Sequence, residues 1–166
     1  MTDFKAQGKR NKAMGADFER RTRNDLQENG WIVAKWSNNV KFGAVNKEIV
    51  ETPHSKIKAV KTEWVGRCVP AKPGRFRMMQ TGFPDFIAYQ ETDATVECNV
   101  CNHVTNKVPI SYIQFVECKC NGILSKEEKE KAQWYLANNY CSKFLVAFKT
   151  KIKNRVKVNY KEVQLK

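Results

Sequence analysis

The sequence predicts an α/β fold in which a mixed β-sheet is flanked by helices. Three observations predict it. Short apolar runs of strand length, Phe83 to Tyr89, Tyr112 to Cys120 and Phe144 to Phe148, recur along the chain. Two segments of helical period stand among them, one before the first strand and one between the second and third of these runs. At 166 residues, with 42% hydrophobic and 28% charged residues, the chain has the length and composition of one globular domain. The organisation read from this is a flexible basic tail over 1–12, then one domain over 13–166 that contains an insertion over 37–82.

The tail, MTDFKAQGKRNK, is polar and without periodicity. A helix is expected from about Lys12 to Asn29, stopped by Gly30 in the C′ position. On a wheel of about 100° per residue, Met14, Phe18, Thr22 and Leu26 form the inward arc, with Arg20, Arg21, Arg23 and Glu28 outside it. Glu19 lies about 20° beyond Leu26, at the edge of that stripe, where it either reaches inward or remains a solvated surface glutamate. Trp31 to Trp36 reads as the first strand.

Residues 37–82 are punctuated by Asn38-Asn39, Gly43, Pro53, Gly66, Pro70, Pro73 and Gly74. Strand candidates at 56–60 and 63–69 suggest a hairpin, followed by the basic loop KPGRFRMM. Connections of this length inside compact domains are usually functional, which points to DNA contact or dimerisation. Phe83 to Tyr89 and about Pro109 to Cys120 are expected to be neighbouring strands. Ser125 with Glu128 three residues later spells a capping box for a second helix. Its inward arc is Ala132, Tyr135, Leu136 and Asn139, with Gln133 about 60° from Leu136. Phe144 to Phe148 reads as a buried strand, and Val156, Val158 and Tyr160 alternate with polar residues in a last strand with one wet face.

Two of these strands carry acids where a packed core wants none. Asp85 opens the apolar run FPDFIAY, and Glu117 and Lys119 close YIQFVECKC. Alternation puts Phe115, Glu117 and Lys119 on one face and Val116, Cys118 and Cys120 on the other. An unpaired charge there costs several kcal/mol, roughly, so a divalent cation between Asp85 and Glu117 beside Lys119 is the expected compensation. The same acid-x-lysine spelling at Glu127-Glu128-Lys129 and Asp3-Phe4-Lys5 lies in a surface helix and in the tail, and is read as solvated charge.

The net charge of +13 is unevenly spread. Residues 1–12 carry +3, 35–82 carry +7 and 143–166 carry +7, whereas 13–34 and 83–142 are negative. An acidic site framed by basic surface suits a polyanionic partner, because Lys and Arg displace counterions from phosphate. The contacts expected are Lys9, Arg10 and Lys12 in the tail and Lys72, Arg75 and Arg77 in the basic loop. No signal peptide or long apolar run is spelled, so a cytoplasmic location with no membrane partner is expected.

Taken together, Glu19 in GADFERRTRNDL, Asp85 in GFPDFIAY, Glu117 and Lys119 in FVECKC, and Gln133 in KAQWYL resemble the PD-(D/E)xK nuclease superfamily. The likeness is nearest to archaeal Holliday-junction resolvases and virus-type nuclease relatives. It covers 13–36 and 83–148, and it departs from the family in the length of 37–82 and in a cysteine-bearing turn near 98–103. The resemblance implies a restriction-endonuclease-like core and a homodimer acting on branched DNA. It implies Mg²⁺ or Mn²⁺ held by Asp85 and Glu117, with the Cys118 backbone carbonyl as a further ligand. Lys119 would hold or activate water, Glu19 would bind a second metal or orient water, and Gln133 would support the site. Linear, flapped or restriction-type DNA is the alternative substrate, and a non-cleaving nucleic-acid binder with a zinc knuckle is the alternative class.

Cys98 and Cys101, with His103 close by, have the spacing of a structural zinc site or of a turn with free thiols. Completion by Cys118 and Cys120 is disfavoured if 85–97 and 109–120 form a hairpin, because tip and base then lie roughly 30 Å apart. Completion by Cys68, His54 or His103 is left open. Cys118, Cys120 and Cys141 read as small core residues.

Overall fold

The computed structural model describes residues 4–48, 60–71, 82–97, 104–153 and 155–165. Its elements run α1 (Phe4–Glu28), β1 (Ile32–Lys35), β2 (Asn38–Glu48), β3 (Val60–Pro70), β4 (Phe86–Glu97), β5 (Val104–Cys118), α2 (Lys126–Ala137), β6 (Lys143–Ile152) and β7 (Arg155–Glu162). Five strands form a sheet in the order β1-β4-β5-β6-β7, and β2 and β3 form a separate two-stranded sheet. Only β5 and β6 pair in parallel; their neighbours pair antiparallel, so the main sheet is mixed. A parallel pair needs a long crossover, and α2 supplies it.

The helix α1 starts eight residues earlier than expected, so residues 4–12 are helical rather than a loose tail. Periodicity gave no sign of this, because the first turns bury no face. Apart from Phe4, Gly8 and Asn11 they are Lys, Ala, Gln and Arg, which favour helix without packing. Lys9, Arg10 and Lys12 are exposed on this stretch. Met14 is 53% exposed and does not belong to the inward arc, which is Phe18, Thr22 and Leu26. The helix stops as its sequence demands. Gly30 takes a φ of 81°, its N–H bonds Gln27 O at 3.0 Å, and Trp31 N–H bonds Leu26 O at 3.0 Å, which together make a Schellman cap.

Two apolar clusters cover the two faces of the sheet. One joins α1 to β1, β4, β5 and β6 through Phe18, Leu26, Val33, Phe86, Ala88, Val116 and Ala147. The other gathers Phe115, Phe144 and Val146 from the sheet, Leu124, Ala132 and Tyr135 from α2 and its approach, and Val40 from β2. Within the second, Phe115 and Tyr135 meet edge to face at 4.9 Å and Trp36 lies 4.8 Å from Phe115. Cys118 and Cys120 pack against the first cluster and Cys141 is buried in the second, as small core residues do.

In residues 37–82 the hairpin exists but not in the expected register. A single strand, Val60–Pro70, contains the candidate at 63–69 and pairs with Asn38–Glu48 from Asn38↔Pro70 to Glu48↔Val60, whereas 56–59 of the other candidate lie outside the described residues. Gly66, which reads as a breaker, is needed here: a Cβ at this position would lie 2.4 Å from Trp134 Nε1 on α2. The basic loop residues Lys72, Arg75 and Arg77 lie outside the described residues, as do Cys98, Cys101, His103 and His54.

The strands β4 and β5 do form a hairpin, with Phe86↔Val116 at one end and Glu97↔Val104 at the other. The two ends are roughly 35 Å apart at about 3.3 Å per residue, which sets Cys118 far from Glu97, the last described residue of β4. The capping box of α2 is formed as spelled: Ser125 Oγ accepts from Glu128 N–H at 3.3 Å and Glu128 Oε2 accepts from Ser125 N–H at 2.8 Å. That helix ends at Ala137, and Asn139 lies beyond it with a φ of 56° rather than on the inward arc. Among the described residues no helix is long and apolar enough to cross a membrane.

Candidate functional site

Asp85 immediately precedes β4, Glu117 stands one residue before the end of β5, and the antiparallel register that pairs Phe86 with Val116 sets them side by side. Each carboxylate is fixed by the other strand's backbone. Glu117 Oε2 accepts the Asp85 N–H at 3.1 Å, and Asp85 Oδ2 accepts the Cys118 N–H at 2.9 Å. The alternation expected for β5 holds. Phe115 joins the α2-side cluster, Val116 and Cys118 join the α1-side cluster, and Glu117 is buried at 6% exposure.

Lys119 completes the group. Its Nζ lies 3.1 Å from Glu117 Oε1 and 2.6 Å from Glu128 Oε1. Glu128 therefore serves twice, closing the helix cap with one oxygen and holding the lysine with the other. This residue was read as solvated charge, and its role was not legible, because the pairing depends on how the β5–α2 turn folds back. The signal that existed was the capping box itself, which puts Glu128 in the first turn after the β5 acid.

Glu19 does reach inward from α1, but it meets a partner there. Lys35 Nζ bonds Glu19 Oε2 at 2.5 Å and lies over the Phe86 ring at 5.0 Å from its centroid. Lys35 shares a face of β1 with buried Val33, so a cation ending an inward-facing row was the clue to it. Gln133 is placed on α2 with its amide nitrogen donating to Gln164 O at 2.6 Å, an arrangement that ties the helix to the C-terminal segment.

The electrostatics follow from burial. Desolvation raises the Asp85 carboxyl above its ordinary value; the Cys118 N–H opposes this and the Glu19 charge adds to it. Desolvation likewise raises Glu117, to about 8, with the Asp85 charge adding to the shift and Lys119 opposing it. Lys35 and Lys119 lose some basicity to burial, but their carboxylate partners, Glu19 for one and Glu128 with Glu117 for the other, outweigh this and hold both above the usual lysine value. The result is two neighbouring carboxyl groups, Glu117 buried and Asp85 half-buried, flanked by two ammonium groups. Groups perturbed in this way, by burial and by a specific neighbouring charge, are candidates for a functional site.

Among the described residues no three His, Cys, Asp or Glu side chains are grouped so as to enclose a metal on their own. The donor set is Asp85 and Glu117, with Glu19 tied to Lys35. Two carboxylates with the remaining positions left to water and phosphate oxygen are the usual protein contribution to a Mg²⁺ site, so the residues fit that ion. No family model, curated protein or solved structure matches the chain.

Proposed function

We propose that the chain is a metal-dependent DNA endonuclease that hydrolyses phosphodiester bonds, with branched four-way junctions as its substrate and a homodimer as its working form. The observation that carries this reading is the close pair Asp85 and Glu117, both raised by desolvation, Glu117 also by the Asp85 charge and Asp85 by that of Glu19, with Lys119 beside them. Their order in the chain, and their place where strands of the sheet end, match what the resemblance to PD-(D/E)xK nucleases implies. The restriction-endonuclease-like core, the insertion between its first two strands and the dimer are parts of the same proposal.

Asp85 and Glu117 would hold Mg²⁺ or Mn²⁺, with the Cys118 carbonyl as a further oxygen. When bound, the ion supplies a lowered water pKa and a counter-charge to the phosphate oxygens. Lys119, braced between Glu117 and Glu128, keeps its ammonium at the edge of the pair, where it orients water and offsets negative charge on phosphorus. Glu19 stands behind Asp85 and, through Lys35, adjusts the charge that Asp85 feels. Gln133 acts at a distance, by holding the C-terminal segment against α2. The expected products are a 5′-phosphate and a 3′-hydroxyl.

The test is incubation with labelled four-way, flapped and linear duplex DNA in Mg²⁺ or EDTA, alongside Asp85→Ala. Paired nicks confined to the junction, lost in EDTA and in the variant, are expected. Cleavage of every substrate moves the reading to a nuclease for linear or flapped DNA. Binding without cleavage in any metal overturns it in favour of a nucleic-acid binder.

A further inference from the structure

The last hairpin of the sheet is longer than the sheet needs. The final pair joining β5 to β6 is Cys118↔Ala147, yet β6 continues to Ile152 and β7 pairs with it from Ile152↔Arg155 onward. Residues 149–152 and 155–157 therefore pair as a two-stranded ribbon that runs past the end of the sheet where Asp85 and Glu117 lie, by roughly 17 Å at about 3.3 Å per residue. Its root is fixed beside the site: Lys119 N–H bonds Ala147 O at 2.9 Å, and Gly122 packs on Phe148.

In the sequence from 149 to 157 five of nine residues are cations, Lys149, Lys151, Lys153, Arg155 and Lys157, and none is acidic. No ion pair among the described residues involves any of them. The pairings Lys149↔Val158 and Lys151↔Val156 put two cations on one face, and Thr150↔Lys157 with Ile152↔Arg155 puts two on the other. At the turn, Lys153 holds a φ of 45°, a conformation that favours glycine or asparagine.

We propose that this ribbon grips duplex DNA by entering a groove, so that the site receives a backbone already held on its flank. The assignment deepens the nuclease reading and rests on it for the choice of DNA as partner. The B-form major groove, about 12 Å wide, admits a two-stranded ribbon, and its two phosphate walls meet cations on both faces at once. The deep, narrow major groove of A-form RNA does not admit one. The ribbon has no aromatic residue over 149–157, so it lacks the stacking surface on which single strands are held.

The test measures binding of the full chain in EDTA to fluorescent duplex DNA, single-stranded DNA and duplex RNA across a salt series. It is repeated with Lys151, Lys153, Arg155 and Lys157 all changed to Ala, residues that are exposed and make no core contact. The expected result is a preference for duplex DNA that the variant loses, with the log–log salt slope reduced by about 3 to 4, about 0.9 per phosphate contact. Lys153→Gly, which suits the turn and removes only its charge, should reduce the slope by about 0.9 with the fold intact. An unchanged slope, or ribbon-dependent binding as tight to single strands or duplex RNA, overturns the proposal. A chain that grips duplex DNA through the ribbon but never cuts it with Mg²⁺ refutes the nuclease reading alone, and a cutting chain whose slope ignores the ribbon refutes the ribbon alone.

Discussion

Burial and the Asp85 charge hold the Glu117 carboxyl at about 8, so the native chain keeps a proton there that the unfolded chain has already released. Between the unfolded value, about 4.5, and the folded one, the native state binds more protons, and stability falls as pH rises through that window. A divalent cation competes with that proton. Melting curves should therefore show Mg²⁺ raising Tm little at pH 5 and most at pH 8; a pH-independent shift removes Glu117 from the ion's ligands. Glu117→Gln relieves the repulsion and keeps an acceptor for the Asp85 N–H, so the metal-free chain should gain about 1–3 kcal/mol at pH 8 in urea unfolding while losing all cleavage. Lys119→Met should do the opposite, costing about 1–3 kcal/mol, less than a fully buried pair because 28% of the lysine side chain is exposed. The two acids were legible as acids inside apolar strands. Their lysine partners were legible only in part: Lys119 shares a face with Glu117 along one strand, whereas Lys35 meets Glu19 across two elements.

Elements whose ends are written in short-range chemistry were read correctly, and elements sustained by propensity or pairing alone were not. Gly30 and the Ser125–Glu128 box fix their helix termini through backbone hydrogen bonds within a few residues. Ser125→Ala should cost about 1 kcal/mol in thermal unfolding, because the Glu128 N–H loses its acceptor, while the Glu128 carboxylate keeps both the backbone N–H of position 125 and Lys119. The first turns of α1 bury no regular face, so hydrophobic period could not announce them. Gly66 misled for a related reason: a glycine in a strand reads as a break until the facing tryptophan is known. Gly66→Ala should push β3 off α2 and cost about 1–3 kcal/mol, with a change in the fluorescence of Trp134 as the direct readout.

Across the described residues, charge of each sign is concentrated on different elements. The acids that make the site lie on the inner strands, while the densest cationic stretch with known structure lies on the ribbon beside them. Sedimentation of the chain with and without a four-way junction tests the proposed homodimer, which is expected to persist on the junction with one copy per opposed strand. The order of helices and strands was legible because each apolar run has strand or helix length; the long hairpins were not, because a ladder satisfies its backbone whatever its side chains do. The Tyr135 hydroxyl, donating to Phe83 O at 2.9 Å and receiving Trp36 Nε1–H at 3.2 Å, anchors the chain two residues ahead of Asp85 from deep inside the opposite layer. Removing that single oxygen, as in Tyr135→Phe, would leave every charged group in place yet unmoor the loop that aims one of them, so an apparently silent interior change should surface as a weakened grip on the ion.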